Sequence, residues 1–156
     1  MSAMLPVRAA RLRAPLLMAL WLLLAFEAIG GLVIFFARLA VGSTPGEALH
    51  VFAGVALTFV YAIYQWTHWA RVAPWRSRLD FAIGLIAAIS LALTQVSGLW
   101  LGWVWWASRT SGTGIAPYPA WLSGAHNVMS MFVLTFVLAH LGAVLQRDAR
   151  VSERLP

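Results

Sequence analysis

Long apolar runs, separated by short polar breaks, make up most of the chain. A membrane-spanning helix needs about 20 consecutive and mostly apolar residues. Four runs meet this requirement, at residues 15–37, 49–70, 81–105 and 121–145. The breaks between them contain glycine, proline and serine and lie at residues 42–46, 73–75 and 111–119. The pattern predicts an all-α fold, a four-helix transmembrane bundle that forms a single membrane domain over residues 1–156.

The composition points to lipid as the surroundings of these helices. Hydrophobic residues make up 62% of the chain and charged residues 10%, whereas soluble domains average about 45–50% apolar and about 25% charged residues. The net charge of +6 would suggest a nucleic-acid-binding protein if the chain were soluble. In a membrane protein we expect lipid contacts and no nucleic-acid partner. The chain has no cysteine, which excludes disulfides, iron–sulfur clusters and thiolate zinc sites.

The positive residues are all arginines, and their distribution predicts the orientation of the bundle. Cytoplasmic segments of membrane proteins carry an excess of positive residues. Most of the arginines lie in the two tails and around the second connection: Arg8, Arg11, Arg13, Arg71, Arg76, Arg78, Arg147, Arg150 and Arg154. The other two connections hold Arg38 and Arg109. We therefore expect an N-in/C-in orientation. We expect the first run to be a retained helix, because it is longer than the roughly 7–15 apolar residues of a signal peptide.

Four histidines interrupt the apolar runs, two on the second predicted helix and two on the fourth. His50 and His68 are 18 residues apart, which is five helical turns, or about 27 Å. His126 and His140 are 14 residues apart, close to four turns, or about 21 Å. Each pair therefore lies on one face of its helix. A single histidine in a membrane often serves only as a hydrogen bond between helices, but ionisable residues there are costly and usually functional.

The second and fourth helices run in the same direction, which predicts two facing pairs of histidines. His50 and His126 lie near the outer ends of their helices, and His68 and His140 lie in the inner halves. A haem iron can take one imidazole on each side of the flat tetrapyrrole, and two neighbouring helices can supply them. The sequence therefore predicts haem b, with two haems stacked through the membrane.

These residues resemble the small di-haem membrane cytochromes b of bacteria, which include the cytochrome b subunits of respiratory dehydrogenases. The interval between His126 and His140 is similar to the ligand spacing of that family. The segments HVFAG (50–54) and WTHWAR (66–71) look like the ends of its ligand-bearing helix, and Ser97-Gly98 resembles a small-residue position. The resemblance implies electron transfer between the quinone pool and a membrane or extracytoplasmic redox partner, in the bacterial inner membrane.

One position departs from the pattern of that family. The same interval on the second helix would place its inner ligand at residue 64, which is Tyr64, whereas the histidine stands one turn later at His68. The two inner histidines are therefore offset by about 6 Å along the helix axes. Tilt of a helix or of the haem can absorb this offset. The alternatives are that the chain binds only the outer haem or binds none.

Further residues are candidates for contact with the cofactor. Gly54 is expected to bring backbone close to the haem, or to serve ordinary helix packing. Arg71 on the inner side, and Arg38 and Arg109 on the outer side, are candidates to pair with haem propionates, or to anchor helices at the surface. Glu27, an acidic residue within the first run, is expected to carry protons at a quinone site, or to bond a neighbouring helix as a neutral acid.

The favoured function is a b-type cytochrome that acts as an electron-transfer subunit and not as a stand-alone enzyme. Two histidine ligands leave the iron no open position for a substrate. A different class of function is a non-haem metal-ion or proton carrier that uses the membrane histidines and Glu27. A third is a haem enzyme acting on small oxidants at the outer surface, which needs a displaceable ligand. Haem content, bound metal and carbon monoxide binding separate these hypotheses.

Overall fold

The computed structural model describes residues 14–72, 79–112 and 117–153, with side chains described for residues 14–70, 79–112 and 117–146. This part of the chain contains four α-helices: α1 (Pro15–Val41), α2 (Glu47–Val72), α3 (Leu79–Thr110) and α4 (Ala120–Glu153). Each is long and apolar enough to cross a membrane. The prediction of an all-α fold with four membrane-spanning helices is confirmed, and the chain has the character of a multi-pass membrane protein.

All four helices extend beyond the apolar runs that predicted them. The longest are α3, with 32 residues, and α4, with 34 residues. At 1.5 Å per residue these helices are about 48 Å and about 51 Å long, whereas the hydrocarbon core of a bilayer is about 30 Å thick. An apolar run marks the part of a helix that suits lipid. The α-helix continues beyond the apolar run until its regular backbone conformation ends.

Glycines in the left-handed conformation accompany the helix ends at two connections. Gly42 (φ 69°) follows α1, and its N–H donates a hydrogen bond to the carbonyl oxygen of Arg38 (3.1 Å). Gly46 (φ 75°) precedes α2, and Gly112 (φ 75°) follows α3. Positive φ values favour glycine, which has no Cβ, so these residues account for two of the predicted breaks. The third, at residues 73–75, lies outside the described residues.

α3 is the helix that joins two helical hairpins. α3 and α4 have the most extensive contact, α1 and α2 form the other hairpin, and α2 packs on α3. The buried polar side chains of the described residues are serines of α3: Ser90, Ser97 and Ser108. Ser97 and Ser108 donate hydrogen bonds to backbone carbonyls of their own helix. α3 therefore carries polar groups into the interior of the bundle without leaving these hydroxyls unsatisfied.

Large apolar side chains cover the outward faces of the bundle. Leu39 and Leu79 are each 76% exposed, and Trp66 is 84% exposed. A soluble monomer rarely presents so extensive an apolar surface. Lipid chains solvate it, so the outward faces suit contact with a membrane and the polar groups of the interior are left to form the site.

Candidate functional site

Two histidines from different helices meet inside the bundle. His50 lies in the first turn of α2, and His126 lies in the second turn of α4. The centroids of their rings are 6.4 Å apart, and the ring planes make an angle of 77°. The structure therefore brings together the two residues of the predicted outer pair, and we refer to them by that name below.

The ring of His126 is held by α3. Nδ1 of His126 is 3.1 Å from the carbonyl oxygen of Thr94 and 3.1 Å from Oγ of Ser97. A carbonyl oxygen only accepts hydrogen bonds, so Nδ1 carries the proton of the neutral imidazole and Nε2 keeps its lone pair. Gly98 provides the space for the ring, because a Cβ on this residue would lie 2.9 Å from Cε1 of His126.

α3 holds His140 in the same way, further along both helices. Nδ1 of His140 donates to the carbonyl oxygen of Asp80 (2.9 Å), and a Cβ on Gly84 would lie 2.7 Å from Cε1 of the ring. Asp80 and Gly84 precede Thr94 and Gly98 by the same interval that separates His126 from His140. We call this arrangement an imidazole cradle: a glycine that admits the ring and, one turn earlier on the same helix, an acceptor beside Nδ1.

A third imidazole cradle, on α1, holds His50. A Cβ on Gly31 would lie 3.3 Å from Cε1 of His50. One turn earlier, Oε2 of Glu27 is 3.0 Å from Nδ1 of His50, at ion-pair distance but without the alignment of a hydrogen bond. A Cβ on Gly54 would lie 3.3 Å from the same Oε2. The space that Gly54 leaves open is therefore occupied by the carboxyl group of Glu27.

His68, which was predicted for the inner level, lies in the C-terminal half of α2 and contacts a residue of its own helix. Its ring stacks on that of Tyr64, with centroids 5.1 Å apart and an interplanar angle of 16°. Nδ1 of His68 and the hydroxyl of Tyr64 share a hydrogen bond of 3.3 Å. The outer pair thus meets across two helices, whereas the contact shown for the ring of His68 lies within α2. Sequence reasoning placed Tyr64 at a ligand level but did not identify it as a partner of His68.

A cavity of about 450 Å³ opens beside the outer pair. His50, His126, Glu27 and Gly54 line it, together with apolar side chains from all four helices. Small-molecule and cofactor sites are mostly apolar cavities of about 300–1,000 Å³ with a few polar groups that fix orientation. The cavity thus has the size and lining of a cofactor site, and it places that site between the helices that carry the outer pair.

The part of the cavity lining nearest the connection between α1 and α2 includes Arg38, Glu47 and Tyr118. The hydroxyl of Tyr118 donates to Oε1 of Glu47 (2.8 Å), and the guanidinium of Arg38 lies 5.9 Å from the centroid of the Tyr118 ring. Burial and the hydrogen bond to Glu47 raise the pKa of Tyr118 well above its usual range. Sequence reasoning missed Glu47 and Tyr118, because a tyrosine in a polar connection has no distinguishing pattern.

The three arginines that were predicted to contact the cofactor have different surroundings. Arg38 lines the cavity. The guanidinium of Arg109 lies 5.7 Å from the centroid of the Trp105 ring, and this residue is not part of the cavity lining. The side chain of Arg71 lies outside the described residues. Of the two whose side chains are described, Arg38 lies beside the cavity.

The side chains that could ligate a metal at this site are two imidazoles, which do not form a complete coordination shell. Within the described residues, no group of three or more His, Cys, Asp or Glu side chains is placed to hold a metal ion. Imidazoles whose Nδ1 is engaged elsewhere present Nε2 to a metal, and such partners fix the orientation of the ring. No family model, curated protein or solved structure matches the chain. The geometry of the site is therefore the basis on which a function can be inferred.

Proposed function

We propose that the chain is a b-type cytochrome that transfers electrons in a membrane, with a haem held between α2 and α4 by His50 and His126. The distance between these two rings is the observation that carries the proposal. Two imidazoles on opposite sides of one iron, with metal–nitrogen bonds of about 2 Å as in zinc–histidine sites, have ring centroids roughly 6 Å apart. The observed separation is 6.4 Å. Each ring can rotate about its own metal–nitrogen bond, so the angle of 77° between the planes is compatible with this ligation.

The partners of Nδ1 support the same assignment. Thr94 accepts from Nδ1 of His126, and Glu27 lies 3.0 Å from Nδ1 of His50. Metal-ligating histidines almost always direct their second ring nitrogen to a carbonyl or carboxylate, which fixes the tautomer and raises the basicity of the ligand. Nδ1 of His126 donates to such a partner, and Nδ1 of His50 lies at ion-pair distance from the carboxyl group of Glu27, so Nε2 of each ring is the nitrogen proposed to face a metal.

The small number of protein ligands favours haem over a bare ion. Structural and catalytic metal sites in proteins use at least three side-chain ligands in most cases. A porphyrin supplies four nitrogen ligands of its own, so the protein needs to add one ligand above the ring and one below. The outer pair meets that requirement, and the apolar cavity beside it suits the body of a porphyrin.

Haem bound in this way would supply one-electron redox chemistry. Because His50 and His126 would occupy both axial positions, the site leaves no place for a substrate on the metal, which favours electron transfer over stand-alone catalysis. Arg38, which lines the cavity, would pair with a carboxylate of the haem edge. Glu27 would orient His50 from the side away from the metal.

A second haem at the inner level is part of the proposal. His140 occupies an imidazole cradle that repeats the one at His126, with Nδ1 donating to Asp80. His68 on α2 is proposed as the second protein ligand of this haem. The repetition of the cradle is a reason to expect the same kind of ligand at both levels, since a histidine that only bridged two helices would need no second copy at the same interval.

The orientation and the partners are proposed from the sequence. The arginine distribution supports an N-in/C-in orientation in the bacterial inner membrane, with the quinone pool and a membrane or extracytoplasmic redox protein as electron partners. The chain has no cysteine, so single cysteines report the orientation directly. A membrane-impermeant maleimide should label Ser43→Cys in intact cells and Ser77→Cys only after permeabilisation. The reverse pattern would contradict the proposed orientation.

Haem content is the decisive test of the function. Protein purified from cells with ample haem should show a reduced b-type spectrum and about two haems per chain by the pyridine haemochrome assay. His50→Ala and His126→Ala should remove the same spectral component, because the two residues would ligate one iron. His140→Ala should remove the other component. A colourless preparation, or a different component lost in each outer-pair variant, would refute the proposal.

Glu27 favours one alternative function, a proton or metal-ion carrier. Oε1 of Glu27 is buried without a hydrogen-bond partner, and the residue lines the same cavity as the outer pair. A carboxyl group in such a position is a typical element of an ion pathway through a membrane. Metal analysis of the purified protein distinguishes the two functions, since bound zinc or copper without iron would favour the carrier.

A further inference from the structure

The imidazole cradle of His126 has a second polar group beside Nδ1, the hydroxyl of Ser97. Nδ1 of His126 lies 3.1 Å from the carbonyl oxygen of Thr94 and 3.1 Å from Oγ of Ser97. The cradle of His140 has a carbonyl oxygen 2.9 Å from Nδ1, and the residue that precedes its glycine, as Ser97 precedes Gly98, is an isoleucine. A hydrocarbon side chain cannot accept a hydrogen bond. The hydroxyl beside His126 is therefore an addition to the cradle and not a requirement for holding an imidazole.

The proton of the Ser97 hydroxyl is directed along its own helix. Oγ of Ser97 lies 2.8 Å from the carbonyl oxygen of Leu93 and 3.0 Å from that of Thr94, and a carbonyl oxygen only accepts. The hydroxyl thus donates to the backbone of α3 and presents its lone pairs to the Nδ1–H of His126. Thr94 and His126 both line the cavity beside the outer pair. The Nδ1 proton is therefore shared between two acceptors at the wall of the candidate cofactor site.

We infer that Ser97 is a positioning residue that accepts the Nδ1 proton of His126 together with Thr94 and thereby lowers the midpoint potential of the outer haem. This inference rests on the proposed function. A hydrogen bond from the second ring nitrogen fixes the orientation of a ligating imidazole and raises its basicity. A more basic imidazole stabilises the ferric iron more than the ferrous iron, because the ferric ion carries the larger positive charge. The second acceptor should therefore favour the oxidised state of this haem.

Ser97→Ala tests the inference, because it removes the hydroxyl and keeps the carbonyl of Thr94. The outer haem, identified as the component lost in His126→Ala, should still bind. One neutral hydrogen bond changes an equilibrium by about 2- to 10-fold, and a tenfold change in a one-electron couple is about 59 mV. The midpoint potential of the outer haem should therefore rise by up to about 59 mV. Ser97→Thr, which keeps a hydroxyl, should stay close to the wild type. Ser90→Ala is the matched control, since Ser90 is also a buried serine of α3, about two turns earlier.

A second measurement does not require haem. In haem-free protein with nitrogen-15-labelled histidine, nuclear magnetic resonance should show His126 as the tautomer that carries its proton on Nδ1. Ser97→Ala should shift the Nδ1 resonance of His126, because the proton then has one acceptor in place of two. The resonances of His140 should not move, and Ser90→Ala should leave those of both histidines unchanged. His126→Ala identifies the resonance.

The two measurements distinguish failure of this inference from failure of the proposed function. A haem-containing Ser97→Ala variant whose outer midpoint potential is unchanged or lower would overturn the inference and leave the proposed function standing. An equal rise in Ser90→Ala, or an unshifted Nδ1 resonance of His126 in Ser97→Ala, would have the same consequence. A wild-type protein that binds no haem would overturn both, even if the resonance shifts, because the contact with Ser97 would then have no haem to act on.

Discussion

Two glycines of α3, Gly84 and Gly98, offer a direct test of how the bundle holds its histidines. A Cβ on Gly98 would lie 2.9 Å from Cε1 of His126, and a Cβ on Gly84 would lie 2.7 Å from Cε1 of His140. Ordinary contacts of a Cβ begin at 3.4 Å. Gly98→Ala therefore requires the ring of His126 to move by about 0.5 Å, and Gly84→Ala requires the ring of His140 to move by about 0.7 Å.

The expected loss of hydrogen bonding in these variants follows from the geometry of the imidazole cradle. The glycine and the acceptor for Nδ1 lie on the same helix, so a ring displaced from the glycine also leaves the acceptor. The bond from His126 to Thr94 is 3.1 Å and that from His140 to Asp80 is 2.9 Å. After the displacement both would be about 3.6 Å, at which a hydrogen bond is lost. Overpacking costs about 1–3 kcal/mol, against a helix-propensity gain of about 1 kcal/mol for glycine to alanine.

The assay measures haem content and spectrum for each variant. Gly98→Ala should deplete the outer haem and Gly84→Ala the inner haem, so the two variants should have complementary spectra. Gly124→Ala and Gly142→Ala are matched controls on α4, because a Cβ at either position meets nothing within 4 Å. These controls should retain both haems and should be neutral or stabilised by up to about 1 kcal/mol in thermal unfolding.

Two outcomes of the haem assay would contradict the proposed role of the cradles. Full occupancy of both haems in Gly98→Ala and Gly84→Ala would mean that the rings tolerate a displacement of this size, and the cradles would then be ordinary helix packing. Equal loss of both haems in either variant, together with a lower unfolding temperature, would indicate general destabilisation of the hairpin of α3 and α4. Neither result is expected if each cradle seats one ligand.

Three further predictions follow from other parts of the site. The reduced protein should not bind carbon monoxide, because under the proposed function histidines would supply both protein ligands of the haem; a spectral change on adding the gas would indicate a displaceable ligand. Glu27→Gln should keep the outer haem and shift its midpoint potential. Glu27→Ala should weaken binding of the outer haem by about 10–100-fold. Unchanged haem binding in Glu27→Ala would contradict the role of this residue. The raised pKa of Tyr118 means that this residue stabilises the fold below about pH 10 and that the contribution is lost as the pH rises further. Tyr118→Phe should therefore lose less stability than the wild type above pH 10 in thermal unfolding, and identical pH profiles would contradict this assignment.

The helices were predictable because lipid imposes a strong constraint on composition. Every segment that crosses a bilayer must satisfy its backbone internally and present apolar side chains over about 20 residues, so the four runs are visible in the sequence alone. The helix ends were less predictable. α4 continues to Glu153, well beyond the predicted run, because polar residues outside the lipid can remain helical. The contacts of the outer pair followed from periodicity, since residues on one face of parallel helices at equal depth can meet.

The partners of the histidines could not be derived from periodicity. A carbonyl such as that of Thr94 is present at every residue, so nothing in the sequence marks it as an acceptor for Nδ1 of His126. Gly84 and Gly98 are two of many glycines in the sequence. Their spacing is informative only because it equals the spacing of two histidines on α4. The cradle is a property of the pairing between α3 and α4, and a search along one helix at a time does not detect it.

The three cradles also suggest why the fourth histidine stands out of register. A cradle on α1 at the inner level would require a second glycine, as far from Gly31 as Gly84 is from Gly98, and that position is occupied by Leu17. The side chain of a leucine would fill the space that an imidazole needs against α1, so a histidine at position 64 would have no seat of the kind that His50 has. At His68, one turn further along α2, the hydroxyl of Tyr64 lies 3.3 Å from Nδ1.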